Sequence, residues 1–270
     1  MRARRAALLL AAAAVLTQIS YPLLDGAGLR TATVVSVLLF CGAALTHAAA
    51  TVGAGGALRV LGVAGGVGLA AEVVGVSTGV PFGRYAYTGT LGPEVAGVPV
   101  VVPLAWTMMA WPALVAARRL AGPSWRAVPV AAWLLASWDL FLDPQMVAAG
   151  HWTWTFPEPA LPGVAGVPLT NYAGWLLVAG VLQSALHLAV PARRGHRPLP
   201  TDHLVPAVLL GWTWLGSTVA NLAFFDRPAV AAWGFVGMGL VTAPYLVAVG
   251  PRRTGTRPVV DRPESEETRR

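Results

Sequence analysis

The chain has 270 residues, of which 56% are hydrophobic and 11% charged, whereas a soluble domain carries about a quarter charged residues. That balance excludes water as the main solvent and points to a bilayer. All 19 basic residues are Arg, set in short clusters between apolar runs and at the C-terminal end, which is an insertion signal and not a nucleic-acid surface. The single Cys41 rules out a disulfide framework or thiolate metal site within the chain.

Crossing about 30 Å of hydrocarbon takes roughly 20 helical residues. Runs of that kind fall at about 6–24, 32–50, 58–78, 99–117, 127–142, 170–190, 204–223 and 230–249. The first follows Arg2, Arg4 and Arg5 and reads as a helix, not a signal peptide, because no cleavage site ends it and further spans follow. The expected fold is therefore an all-α polytopic transmembrane bundle of about eight helices. With both termini cytoplasmic, sixteen Arg lie inside (Arg2, Arg4, Arg5, Arg59, Arg118, Arg119, Arg126, Arg193, Arg194, Arg197 and six after Pro251), and Arg30, Arg84 and Arg227 lie outside. The positive-inside rule then places the chain in the plasma (inner) membrane as a multi-pass protein. Residues 251–270, rich in Arg, Pro and Glu, read as a disordered cytoplasmic tail.

The segments after the third and fifth runs, at about 79–98 and 143–169, resemble one another. Gly83-Arg84-Tyr85-Ala86-Tyr87-Thr88 aligns with Gly150-His151-Trp152-Thr153-Trp154-Thr155 at an offset of 67, and Ala96-Gly97-Val98-Pro99 with Ala165-Gly166-Val167-Pro168 at 69. Trp106 then meets Trp175, and the offset of 67 places Glu72 on Asp139. This predicts a parallel helix-loop-helix repeat, with units at about 58–117 and 127–190 in a transmembrane domain of 1–250.

A carboxyl inside a membrane costs about 2.5–3.5 kcal/mol on insertion scales, so it marks function by default. Glu72 and Asp139 are the candidates, and Asp143 follows Asp139 by one helical turn on the same face. Gathered in low dielectric, such groups cannot all ionise, which leaves a neutral acid available. Other readings stay open: Asp143 before Pro144 as a helix stop, Glu72 and Asp139 in buried hydrogen bonds or paired with Arg84, and Glu94 and Glu158 as solvated loop residues. Tyr-x-Tyr-Thr and Trp-x-Trp-Thr suggest extended loops with rings on one side, beyond an interfacial aromatic belt. Such rings can line a channel or stabilise a carbocation. His47 and His187 read as helix-end residues, and His151 as a possible proton shuttle. There is no Walker loop, dinucleotide fingerprint, His-Glu-x-x-His or Asp-rich prenyl-diphosphate motif, which weighs against the chemistries those motifs carry.

Phe82-Gly83-Arg84-Tyr85-Ala86-Tyr87-Thr88, Leu91-Gly92-Pro93, Gly97-Val98-Pro99, Pro103-Leu104-Ala105-Trp106, Asp139-Leu140-Phe141-Leu142-Asp143-Pro144 and Gly166-Val167-Pro168-Leu169-Thr170-Asn171-Tyr172 together resemble the carotenoid 1,2-hydratase family, with its CruF-like and bisanhydrobacterioruberin hydratase-like members. The resemblance covers roughly residues 60–250. It implies hydration of the terminal double bond of an acyclic carotenoid to a tertiary alcohol, with no metal or organic cofactor. It also implies membrane lipid, a hydrophobic carotenoid and other carotenoid biosynthesis enzymes as partners, and no nucleic acid.

The family carries no residue assignment to this chain, so the site is read from chemistry. Glu72 or Asp139 is expected to be the general acid, with the other carboxyl or Asp143 orienting water. Tyr85, Tyr87, Trp106, Trp138, Trp152, Trp154 and Tyr172 are expected to shape the polyene site, and Asn171 to hold the water or product hydroxyl. Two other classes fit the same residues: a carotenoid cyclase, which quenches the same cation by ring closure, and a membrane transporter or lipid-binding protein, for which Pro103 and Pro112 would break a helix.

Overall fold

The computed structural model describes residues 2–192 and 200–250. The expected tail at 251–270 and Arg193, Arg194 and Arg197 lie outside the described residues. The chain is an all-α polytopic helical bundle: α1 (Arg2–Ile19), α2 (Gly26–Val52), α3 (Ala54–Thr78), α4 (Val101–Ala121), α5 (Ala127–Ala148), α6 (Leu169–Ala189), α7 (Leu204–Ala223) and α8 (Pro228–Val249). Helices dominate because a backbone in lipid must satisfy its own polar groups. Leucines such as Leu9, Leu58, Leu177 and Leu240 are exposed on the perimeter, as a lipid-facing surface requires.

Six of these helices, α1 to α4, α6 and α8, are long and apolar enough to cross a membrane by length and composition. Of the eight expected spans, α5 and α7 fall short of that composition: Asp139 and Asp143 dilute α5, and Thr213, Ser217 and Asn221 dilute α7. The fifth span is also longer than its apolar run. Proline lacks the N–H that continues a helical ladder, yet α5 passes through Pro144 to Ala148. Asp143 is therefore inside the helix and does not end it. The first helix stops earlier than expected, at Ile19, and a 3-10 turn at Tyr21–Leu23 leads into α2.

Helices α4 and α5 form the buried centre. Helix α3 packs on both α4 and α6, and α5 packs on both α6 and α4, while α1 lies on α2 and α7 on α8. Small residues permit close approach: a Cβ added at Gly68 would meet the Trp106 ring at 2.7 Å, and one at Gly234 would meet Phe141 at 2.3 Å.

The two aromatic loops meet. Strand β1 (Tyr85–Tyr87) pairs antiparallel with β4 (Trp152–Trp154), placing Tyr85 opposite Trp154, Ala86 opposite Thr153 and Tyr87 opposite Trp152. The ladder continues symmetrically, with Thr88 N–H donating to His151 O at 3.0 Å and Thr155 N–H to Arg84 O at 2.8 Å. Antiparallel pairing centred on Ala86 and Thr153 has a local two-fold axis, and rotation about it carries residue 85 onto 152 and 87 onto 154. Between β1 and α4, a hairpin joins β2 (Glu94–Val95) to β3 (Val98–Pro99). Its two turn residues, Ala96 and Gly97, both have positive φ, at 51° and 78°, the signature of a tight hairpin turn.

Candidate active site

Strand β1 lies against the loop end of α3, and its alternation sends Tyr85 and Tyr87 inward while Ala86 is exposed. Both phenols donate to Glu72 Oε2, Tyr85 at 2.5 Å and Tyr87 at 2.8 Å, and the Trp106 indole N–H donates to Oε1 at 2.9 Å. Burial, followed by the charge of Glu72, raises the pKa of both tyrosines, so they stay phenols able to donate. Glu72 is buried, and its partners are neutral donors. Among the described residues no cation forms an ion pair with it, the ion pair found being Arg4 with Asp202. Arg84, the cation proposed from sequence as a partner, is exposed. A carboxyl whose two oxygens only accept has the hydrogen-bonding pattern of the ionised form.

The α5 side is arranged differently. Asp139 and Asp143 are buried one turn apart and converge on one amide, that of Asn171. Two carboxyls held this close in low dielectric disfavour double ionisation, which favours a proton kept on the pair. Asn171, at the start of α6, donates from Nδ2 to Asp139 Oδ2 at 2.7 Å and also to Asp143 Oδ2. The Trp152 indole donates to Asp143 Oδ1 at 3.0 Å. Asp139 Oδ1 is buried without a partner.

A cavity of about 900 Å³ lies between the two sides, with Glu72 and Asp143 both in its wall. Tyr85, Tyr87, Trp106, Trp138, Trp152, Trp154 and Asn171 line it too. Trp106 and Trp175 stack with centroids 3.9 Å apart and planes at 16°, and Trp138 meets Trp175 edge-on at 5.9 Å. The cavity extends away from the carboxyls between α1, α2 and α7, past Phe40 and Trp212.

Two expected site residues stand behind this wall. Asp139 is fully buried and outside the cavity lining, and Tyr172 also lies outside it, its hydroxyl buried without a partner. Of the two residues expected as general acid, Glu72 lines the cavity and Asp139 does not, while Asp143, expected to orient water, does. Asn171 faces the cavity, but its amide N–H groups are taken by the aspartates.

The histidines divide, with His187 in the last turn of α6 as expected of a helix-end residue. His47 is buried, accepting from Trp111 Nε1 at Nδ1 (2.9 Å) and facing Asp202 O with Nε2 at 2.8 Å. Because an indole only donates, Nε2 carries the proton and donates to that carbonyl. It ties α2, α4 and the segment before α7 together at the end of the bundle opposite the carboxyls. His187 packs on Trp125, centroids 4.8 Å apart. His151 is buried under the β1–β4 ladder with Nδ1 2.8 Å from Thr90 Oγ1, and burial, with the nearby charge of Arg30, lowers its pKa. Glu94 is exposed, and Glu158 is spent on the Ala160 N–H at 2.9 Å. Among the described residues no three His, Cys, Asp or Glu side chains converge as a metal site.

Residues that sequence reading passed over include Tyr21, whose hydroxyl lies 2.7 Å from Ser36 Oγ, Gln18, which accepts from Trp212 Nε1 at 2.7 Å, and Gln145. All three line the cavity, and none carries a charge or motif that would single it out.

A family model described as carotenoid biosynthesis protein matches residues 32–243. A bisanhydrobacterioruberin hydratase of Haloarcula japonica is 33% identical over 168 residues, covering 58% of this chain and 55% of that protein. The chain thus spans about half the length of the curated relative it matches. No solved structure matches.

Proposed function

This chain belongs to the carotenoid biosynthesis protein family, and from that premise we propose that it hydrates the terminal double bond of an acyclic carotenoid end group to a tertiary alcohol. One observation carries the reading: Glu72, held by neutral donors alone, and Asp143, which shares the Asn171 amide with a second carboxyl, open onto the same aromatic-walled apolar cavity. The similar protein of Haloarcula japonica, a bisanhydrobacterioruberin hydratase, agrees with it.

In this mechanism the Asp139–Asp143 pair is the proton source, delivered through Asp143, the member that reaches the cavity. The proton adds to the less substituted alkene carbon, and the tertiary cation forms on the other. The Tyr85, Trp106 and Trp152 rings and the Glu72 carboxylate stabilise that cation. Water then forms the C–O bond, and its released proton passes to Glu72. The net change is addition of one water, and proton exchange between the carboxyls and solvent resets the site.

The two helix-strand-helix units are read as a duplication, supported by the two-fold register of β1 with β4. The distribution of Arg supports a multi-pass plasma-membrane protein with both termini cytoplasmic, working on pigment supplied by other carotenoid biosynthesis enzymes in the same bilayer. The test is expression of the full chain in a host that accumulates lycopene or an anhydro-C50 carotenoid, followed by pigment mass analysis. A product heavier by one water is expected. An isomer of unchanged mass would replace hydration by cyclisation, and no new pigment from either substrate would remove both.

A further inference from the structure

A second cavity of about 270 Å³ sits at the loop end of the bundle, beneath the α1–α2 and α7–α8 connections and beside the last turn of α5. It shares Tyr21, Thr33, Gln145, Met146, Phe224 and Phe225 with the main cavity, so the two chambers meet at a common wall. Their linings differ in character. The main cavity is walled by indoles, phenyl rings and aliphatic groups, where water is poorly held. Arg227 lines the small one, and its Nη1 is buried without a partner.

The junction has one distinctive group. The Gln145 side chain lines both chambers, and its amide makes no hydrogen bond among the described residues. The other polar side chains at the wall are spent: Thr33 donates its hydroxyl to Leu29 O at 2.9 Å, and the Tyr21 hydroxyl lies 2.7 Å from Ser36 Oγ. An unspent amide offers both a donor and acceptors to water, and liquid water needs only about 30 Å³ per molecule. Gln145 and Asp143 both line the main cavity, so water held at Gln145 enters the chamber onto which the proton source opens.

We infer that the small chamber is the water inlet of the site and that Gln145 holds the water that attacks the cation. This rests on the hydration reading. A tertiary cation in this cavity has two exits. Water can bond to the cationic carbon and release a proton to Glu72, or a proton can leave the adjacent carbon and restore an alkene of unchanged mass. Supply of positioned water decides between them, which makes Gln145 a specificity-determining residue and not part of the protonation step.

The experiment follows both exits in membranes holding the full chain and lycopene in D2O. Hydrated pigment is read by mass, and deuterium is read in the recovered unhydrated pigment. Gln145→Met, isosteric and apolar, is expected to lower hydrate by at least about tenfold, the size of one lost hydrogen bond, while deuterium uptake holds or rises. Ala148→Phe is expected to give the same split by filling the small chamber, since Ala148 lines that chamber and not the main one. Unchanged hydrate in both variants would overturn the inference, as would parallel loss of hydrate and deuterium uptake in both. Wild-type chain giving neither product nor exchange would instead overturn the hydration reading itself.

Discussion

The α3–β1–α4 unit and the α5–β4–α6 unit share a scaffold down to single side chains. Val98 and Val167 are both fully buried before the second helix, and Trp106 and Trp175 stack on each other. They part at the donors. In the first unit the strand supplies two phenols, and both reach Glu72. In the second it supplies two indoles: Trp152 reaches Asp143, and Trp154 donates to Phe82 O at 2.9 Å. Sequence offset pairs Glu72 with Asp139, yet the carboxyl wired to the second strand is Asp143, one turn farther along α5. Exchanging phenol for indole thus goes with a shift of the cavity-facing carboxyl by one turn, and Asp139 is left behind the wall, joined to Asp143 through Asn171. One scaffold presents a lone carboxyl from one side and a pair of carboxyls from the other.

The sharpest way to break this contrast is to neutralise each side in turn. Asp143→Asn should lower hydrate by about 10²–10⁴-fold, the range for loss of a general acid, and should abolish deuterium uptake from D2O with it. Glu72→Gln should lower hydrate strongly while leaving measurable deuterium uptake; the reverse pattern would exchange the two roles. Tyr85→Phe removes one hydrogen bond to a charged acceptor, worth about 1.5–3 kcal/mol, and a fall in hydrate of about 10–100-fold is expected. Asp139→Asn keeps the shape but removes the shared proton, and about a tenfold loss in initial rate is expected from one hydrogen bond. A loss there as deep as in Asp143→Asn would put the donor behind the wall. Gly68→Ala touches no carboxyl but drives a methyl into the Trp106 ring. Overpacking of that kind costs about 1–3 kcal/mol, visible as a lower unfolding temperature in detergent.

Much of this was legible. Apolar runs locate every helix, though some ends, such as the start of α2 at Gly26 and the end of α5 at Ala148, lie beyond the run, since the bilayer imposes a length that composition reveals. The Tyr-x-Tyr and Trp-x-Trp alternation locates β1 and β4 for the same local reason, a period of two. What failed to show is what depends on distant packing. Pro144 reads as a stop, and only its tertiary setting carries the helix through it. His47 resembles a helix-end residue until Trp111 and Asp202, from two other elements, close around it. The walls contributed by Tyr21, Phe40 and Trp212 come from helices outside the repeat, and Gln145 is one uncharged residue whose meaning lies in the chambers it separates.

The stacked pair of Trp106 and Trp175 joins α4 of one unit to α6 of the other across the cavity wall. Two indoles held face to face at 3.9 Å share their electronic excitation. The seam between the units therefore has its own chromophore, whose coupled absorption and circular dichroism change whenever the halves slide or part to admit a polyene, with no label attached.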